Sequence, residues 1–322
     1  MSRFSVVVTD HDFDSLDIEQ EILGEIADVR ALSSEPGKVA PSDSDFCDAD
    51  AVINLRCPLN ESAIDSLEDC CIIARYGIGV DNIDIEAATQ QDIYVTNVPA
   101  YCVEEVSTHA LSLLMSTLRR IPAYDRSVAM GNWDREVGSP INRFSTQTVG
   151  VVGFGSIGRA VGEKAAALGA EVLASDPFLE PADLADTDAD LVAFEELIEE
   201  SDYVTIHSPL TDDTRGMFDD AVFDRMKSNA YLINVARGPI VDEDALLTAL
   251  DSGQIGGACL DVFPDEPPGS DDPLRTHEDV LATPHVAWYS EEANAERRRS
   301  ASEAVRTALR GDRPEHVVND VP

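Results

Sequence analysis

Three side chains far apart in the sequence carry groups suited to one reaction. Arg237 stands in Asn234-Val235-Ala236-Arg237-Gly238-Pro239, and Glu266 in Leu260-Asp261-Val262-Phe263-Pro264-Asp265-Glu266-Pro267-Pro268. His285 stands in Thr283-Pro284-His285-Val286-Ala287-Trp288. A histidine titrates in the range needed to take a hydroxyl proton as a hydride leaves the same carbon. A carboxylate beside the imidazole orients the ring and favours its protonated form, which the reverse reduction requires. An arginine offers a planar fork to a substrate carboxylate and helps polarise a keto oxygen. The three together fit hydride exchange at C2 of a small 2-hydroxy or 2-keto acid. Singly, each has a plainer reading: an arginine capping strand-end carbonyls, a surface acid among 62 acids, a packed loop histidine.

A hydride carrier has its own signature. The run Thr148-Val149-Gly150-Val151-Val152-Gly153-Phe154-Gly155-Ser156-Ile157-Gly158 places G-x-G-x-x-G after a strand pattern and before a helix pattern. Gly153 permits the tight turn, Gly155 lets backbone approach a pyrophosphate, and Gly158 lets the helix pack closely on the sheet. The opening residues of that helix, Ser156 and Ile157, present N–H groups and a partial positive charge to phosphate. Asp176 ends the next strand, 18 residues after Gly158. An acid there accepts hydrogen bonds from ribose hydroxyls and repels a 2′-phosphate, which favours NAD over NADP.

These residues need a scaffold that aligns strand ends. Strand and helix patterns alternate throughout, which predicts an α/β architecture with parallel sheets. A first unit has strands at Phe4–Thr9, Ala51–Leu55, Cys71–Arg75 and Ile93–Thr96, with helices at Leu16–Ile26 and Ile83–Thr89. One long helix is expected over Val103–Arg120, where Val106, Ala110, Leu113, Leu114 and Thr117 share a face. A polar stretch, Gly131 to Gln147, leads to a second unit. Its strands are Thr148–Val152, Glu171–Ser175, Tyr203–His207, Tyr231–Asn234 and Gly257–Val262. Its helices are Ser156–Leu168, Phe194–Glu199, Asp219–Met226 and Asp242–Asp251, and a last helix runs from Glu291 to Arg310. Because the glycine fingerprint falls in mid-chain, the expected arrangement is two doubly wound, Rossmann-like domains with the nucleotide domain (99–288) inserted into a substrate domain (1–98 plus 289–322). The active site is expected in the cleft between them.

Composition narrows the classes. The 23 basic and 62 acidic residues give a net charge of −39, with the acids spread over the whole chain and only Lys38, Lys164 and Lys227 as lysines. Such a surface repels itself in dilute buffer, and at about 1 M salt the screening length falls to roughly 3 Å. The charge therefore predicts a salt-rich cytoplasm, as in a halophilic archaeon, and argues against nucleic acid as partner. The six cysteines lack metal-ligand spacing, and the apolar surroundings of Cys70-Cys71-Ile72-Ile73 suggest core thiols in a reducing compartment. No metal site is expected. Residues 1–10 enter a strand directly and do not read as a signal peptide, and no window reaches the roughly 18 apolar residues of a membrane span.

On these residues the chain resembles the D-isomer-specific 2-hydroxyacid dehydrogenases along nearly its whole length. Five segments carry the likeness: Arg75-Tyr76-Gly77-Ile78-Gly79-Val80-Asp81-Asn82-Ile83-Asp84, Asn97-Val98-Pro99, the Gly153–Gly158 turn with Asp176, His207-Ser208-Pro209-Leu210-Thr211 with Thr214, and the Arg237/Glu266/His285 set. The resemblance implies that His285 is the acid/base, Glu266 its partner and Arg237 the substrate clamp, with N–H groups at Ile78 and Gly79 on the substrate carboxylate. It implies that Asp261 and Val235 flank the nicotinamide, that His207 and Pro209 line the adenine side, and that Ala236 and Thr214 also bind the cofactor. It also implies a homodimer through the nucleotide domain, for which the Val103–Arg120 helix is the natural interface.

Within the family, Trp288 three residues after His285, and Arg75 before the glycine loop, resemble the C-terminal binding protein branch, where both positions look toward substrate. Arg56 adds a further cation beside them, and its plainer reading is a surface ion pair. His109 is read as structural or interfacial. The sequence stops at Pro322 without the regulatory domain that many phosphoglycerate dehydrogenases append. Glyoxylate or hydroxypyruvate reduction is the leading expectation. D-3-phosphoglycerate oxidation, with Arg56 and Arg75 on the distal phosphate, is the first rival. An NAD-sensing scaffold with vestigial turnover is the second, and the intact catalytic set argues against it.

Overall fold

A computed structural model describes residues 3–36 and 47–321; Lys38 lies outside them. The chain divides into two compact units, Met1–Tyr101 with Ser290–Pro322, and Cys102–Tyr289.

The first unit is a five-stranded sheet of β1 (Phe4–Asp10), β2 (Ala27–Ser33), β3 (Ala51–Asn54), β4 (Ile72–Arg75) and β5 (Tyr94–Thr96). All its strands are parallel, in the order β2-β1-β3-β4-β5. Strands covered on both faces must be apolar throughout, and Val6–Val8, Ala51–Ile53 and Ile72–Ala74 are completely buried. Helices α1 (Asp17–Leu23), α2 (Glu61–Asp65) and α3 (Ile85–Gln90) connect the strands. Caps set their starts: Asn60 and Asp84 accept the N–H groups of Ala63 and Ala87.

The second unit begins with helices α4 (Val103–Leu118) and α5 (Ile121–Ala129). Its sheet contains β6 (Thr148–Val152), β7 (Glu171–Ser175), β8 (Ala189–Leu191), β9 (Tyr203–Ile206), β10 (Tyr231–Asn234), β11 (Gly257–Leu260) and β12 (Val280–Ala282). The order is β12-β11-β10-β9-β6-β7-β8, again all parallel. The chain therefore reverses its direction of travel across the sheet between β6 and β9, and ligands of such sheets bind outside the strand ends at that point. Helices α6 (Ser156–Ala167), α7 (Phe194–Glu200), α8 (Asp220–Phe223) and α9 (Glu243–Asp251) cover it. The final helix, α10 (Glu291–Leu309), belongs to the first unit.

An ion pair locks α10 to α1. The carboxylate of Glu19 is fully buried; Arg298 donates to both of its oxygens at 2.9 and 2.7 Å, and the Tyr76 hydroxyl donates at 2.8 Å. The same guanidinium lies 3.8 Å over the Phe13 ring. A charge this buried persists only when it is paired. Ala301 and Val305 on the same helix are buried, but the ion pair beside them leaves no periodic signal in the sequence.

Several elements differ from expectation. The helix expected over Val103–Arg120 stops at Leu118, because Arg120 takes φ +53° and Pro122 opens a new helix, α5, where no element was expected. The Leu16–Ile26 helix is shorter and is followed by β2, which was not expected. Strands β2, β8 and β12 are all sheet edges, short or half-exposed, so they lack the apolar run that marks a central strand. No helix among the described residues is long and apolar enough to cross a membrane. Of the cysteines expected in the core, Cys57, Cys70, Cys102 and Cys259 are buried while Cys47 is exposed; burial pushes Cys57 and Cys259 up to about 12, which makes them inert thiols.

Candidate active site

The glycine turn sits at the switch point of the second sheet. Gly153 has φ +86°, and a Cβ there would stand 2.6 Å from the Ser208 nitrogen, at the end of β9. Only glycine satisfies both the dihedral and the approach. A Cβ on Gly158 would meet the Gly153 carbonyl oxygen at 2.2 Å, so α6 packs tightly on the turn. At Gly155, by contrast, a Cβ would meet nothing within 4 Å, so this side of the turn is open. No side chain caps α6, whose first residues are Ser156 and Ile157. Asp176 follows β7, its two oxygens accepting the N–H groups of Phe154 (2.9 Å) and Phe178 (3.0 Å). Each oxygen keeps a lone pair for a ribose hydroxyl. The open space, the uncapped helix and the poised acid fit a dinucleotide.

The neighbouring loop is ordered by its own polar groups. His207 hydrogen-bonds Thr205 through Nε2 (2.9 Å), and loss of hydration lowers its pKa to about 3, so the ring is neutral. The Thr214 hydroxyl donates to the Pro209 carbonyl (2.7 Å) and accepts the Thr211 N–H (2.8 Å).

Beyond β10, β11 and β12 stand the three chemical residues. Buried Asn234 accepts the Ala236 N–H (3.0 Å) and donates to the Arg237 carbonyl (2.9 Å), folding the turn that presents Arg237. Val235 packs inward, and the Arg237 guanidinium donates to the Ala236 carbonyl at 2.8 Å. Gly238 then lets this turn press on the loop after β11, since a Cβ would lie 2.0 Å from the Phe263 carbonyl carbon. That second loop carries Glu266. Its Oε1 accepts the Phe263 N–H (3.3 Å) and its Oε2 meets His285 Nδ1 at 2.6 Å. The two side chains are 27% and 23% exposed for His285 and Glu266, so the pair is partly desolvated yet reachable. Nδ1 is engaged by the carboxylate, which leaves Nε2 for chemistry.

What holds His285 in place was not visible beforehand. The residue has φ +52°, a conformation costly for any side chain with a Cβ. Asp261, 1% exposed, fixes it: its backbone oxygen accepts the His285 N–H (2.7 Å), Oδ1 accepts the Thr283 hydroxyl (2.5 Å) and the Val286 N–H (2.9 Å), and Oδ2 accepts the Ala287 N–H (2.9 Å). Asp261, expected beside the nicotinamide, directs its carboxylate at the loop it organises. Trp288 donates its indole N–H to the His285 carbonyl (3.0 Å), bracing the same turn. Thr283, which sequence reasoning passed over, is signalled only by its place between a strand and the Pro284-His285 dipeptide.

The remaining predicted residues belong to the first unit. Arg56 and Arg75 stand at the carboxyl ends of adjacent strands, β3 and β4. Asp10 accepts the N–H groups of Leu55, Arg56 and Cys57 and so fixes the Arg56 loop. The Gly77–Gly79 turn is tied down by Asn97, which donates to the Ile78 carbonyl (2.7 Å), and by the Val98 N–H on Gly77 (2.9 Å). Arg75 folds back toward the turn, with Nε on Asn82 Oδ1 at 3.3 Å.

A parallel sheet with a glycine turn at its switch point, and a paired imidazole and carboxylate beyond its later strands, defines the class of nicotinamide-dependent oxidoreductase units. Residues 111–287 match the model of the D-isomer specific 2-hydroxyacid dehydrogenase NAD-binding domain, and the chain belongs to that family. It is 37% identical to a glyoxylate reductase of Korarchaeum cryptofilum, over 84% of this chain and 83% of that one. It is 39% identical to a chloroplastic D-3-phosphoglycerate dehydrogenase of Arabidopsis thaliana, over 77% of this chain but 40% of the plant protein. The chain spans less than two thirds of the phosphoglycerate dehydrogenases it matches. Among solved structures, a D-lactate dehydrogenase of Aquifex aeolicus complexed with NAD and lactic acid superposes with a TM-score of 0.87 at 27% identity, covering 95% and 96% of the two chains.

Gly238→Ala tests the packing of the two loops. The added methyl must move the Glu266 loop, so turnover of a 2-keto acid with NADH is expected to fall about tenfold or more while NADH affinity stays within a factor of about three. Wild-type turnover in this variant would mean that the close approach of the loops is irrelevant to the chemistry.

Proposed function

We propose that the chain reduces a small 2-keto acid, of the glyoxylate or hydroxypyruvate type, to the D-2-hydroxy acid with NADH. The observation that carries this reading is the 2.6 Å contact of Glu266 with His285 Nδ1, which leaves Nε2 to act on an oxygen. NADH, when bound on the Gly153–Gly158 turn with its ribose on Asp176, supplies the hydride. Ser156 and Ile157 offer their N–H groups to the phosphates, and His207, Pro209, Thr214, Val235 and Ala236 line the remaining length. Reduction consumes one hydride and one proton. His285 gives its Nε2 proton to the keto oxygen as C2 becomes tetrahedral, and Glu266 favours the imidazolium that precedes this transfer. In the reverse direction the neutral ring takes the hydroxyl proton. Arg237 provides the fork for the substrate carboxylate and polarises the keto group. In the first unit, the N–H groups of Ile78 and Gly79 receive the carboxylate and Arg75 shapes specificity, as does Trp288 of the second unit, a reading supported by the resemblance to the branch of the C-terminal binding proteins.

Oxidation of D-3-phosphoglycerate is the second reading, favoured by two arginines, Arg56 and Arg75, on neighbouring strand ends and by the plant relative. A panel of 2-keto acids and 3-phosphoglycerate, assayed with NADH, NADPH and NAD in molar KCl, separates the two. The Asp176 carboxylate favours NAD.

We also propose a homodimer that works in a salt-rich cytosol. Helix α4, the interface expected from sequence, buries Val106, Ala110, Leu113, Leu114 and Leu118 inside its own unit. The surface that remains for a partner is α5 and the segment after it, where Ile121, Val128, Met130, Trp133 and Val137 are exposed, Trp133 at 93%. Residues 119–143 carry five arginines and three acids in a chain of net charge −39, so a second copy offers a complementary field.

Glu266→Gln removes the charge that favours protonated His285. Keto-acid reduction by this variant is expected to fail at a lower pH than in the wild type, by about one pH unit or more; an unchanged pH–rate profile excludes the pairing as a catalytic device. In molar KCl the wild type is expected to sediment as a dimer and Trp133→Ser as a monomer, with the fold lost as salt is removed. A wild-type monomer, or full stability in dilute buffer, contradicts the corresponding part of the proposal.

A further inference from the structure

His109 lies on α4, outside the glycine turn and the catalytic loops, yet it reaches the catalytic histidine through two side chains. Its Nε2 is 3.1 Å from the Thr283 hydroxyl oxygen and 3.7 Å from Asp261 Oδ1. The protons along this path can be assigned by counting. Asp261 is nearly inaccessible and accepts two backbone N–H groups, from Val286 and Ala287, so it is the acceptor at its third contact as well. The hydroxyl of Thr283 has a single hydrogen, which is spent on Asp261 at 2.5 Å, a length typical of a charge-assisted bond. Toward His109, therefore, Thr283 can only accept. The proton must sit on Nε2 of His109.

We infer that His109 is a positioning residue for the acid/base step: its Nε2–H, relayed through the Thr283 hydroxyl, anchors the Asp261 clamp that holds His285 in its left-handed conformation. The inference rests on the reading of His285 as proton donor. The geometry gives the anchor a task. Residues 283–287 turn sharply between β12 and α10, and Asp261 holds them from the β11 side. His109 adds a second point of attachment, from a helix packed on the sheet, at the residue two before the catalytic imidazole. Without it one lone pair of the Thr283 oxygen loses its donor, and the turn is pinned from one side alone. Displacements of about 1 Å at reacting groups are enough to cost orders of magnitude in rate.

The test uses the full chain in molar KCl, with His109→Leu and His109→Gln. Glutamine places an amide N–H at nearly the reach of imidazole Nε2; leucine fills the space without a donor. His109→Leu is expected to lose about tenfold or more in kcat, with the NADH dissociation constant and the melting temperature close to wild type, and His109→Gln to recover most of that loss. In the wild type, imidazole 15N NMR is expected to show His109 protonated at Nε2. Wild-type kcat in the leucine variant, a glutamine variant as impaired as leucine, or a bare Nε2 would each overturn the inference. Should the leucine variant fail to fold, the glutamine variant and the NMR assignment still decide. If Glu266→Gln leaves the pH–rate profile unchanged, the proton-donor reading itself fails; if that profile moves while His109→Leu retains kcat, this inference alone falls.

Discussion

A carboxylate buried where β11 ends decides where the His285 imidazole stands. His285 occupies a left-handed backbone conformation that costs on the order of 1–3 kcal/mol for a residue with a Cβ. The turn is held there because Asp261 takes the Thr283 hydroxyl and the Val286 and Ala287 N–H groups on its carboxylate and the His285 N–H on its carbonyl. The strain is local, and the compensation comes from hydrogen bonds to a charge that would itself be costly to bury without them. The orientation of the ring follows: Nδ1 meets Glu266, and Nε2 is left for substrate. A flexible surface loop would not meet the tolerance that proton transfer imposes; a turn pinned by a buried anion does.

The same economy governs the loop that carries Glu266. Gly238 brings the β10 turn against Phe263 so closely that no side chain fits, and this ties the turn that carries Arg237 to the loop that carries Glu266 through backbone. Proximity in this family of sheets is built from parallel strand ends; the loops then need only short, stiff excursions.

The candidate residues stand out in the sequence because each type has a chemical reason at its place: glycines at a turn, an acid after the strand that follows them, a histidine after a Thr-Pro pair at a strand end. The central strands were equally legible, since double burial forces continuous apolar runs such as Val6–Val8 and Tyr231–Ile233. The edge strands β2, β8 and β12 were not, because half-exposed residues mix polar and apolar side chains without a period. The break at Arg120 was also missed, although Pro122 marks it. Least legible was the support of the site. Asp261 was noticed as a residue near the cofactor, but its three acceptor contacts with residues 22, 25 and 26 positions later leave no trace in composition or spacing. The buried Glu19–Arg298 pair, which joins residues 279 apart, is of the same kind.

The charge of the chain gives these interior polar groups a wider setting. With 62 acids and 23 bases, cations are scarce, and several are committed to the interior: Arg298 to Glu19, and Arg297, 2% exposed, to Asp12 and Asn294. Interior pairs of this sort are little affected by salt, whereas the acidic surface depends on it. The central claim, that His285 held by Glu266 protonates the keto oxygen, is tested most directly by His285→Ala in molar KCl. The account predicts NADH binding within a factor of about two of wild type and a kcat for glyoxylate reduction lower by at least about 100-fold. A variant that binds NADH and turns over at nearly the wild-type rate would contradict it.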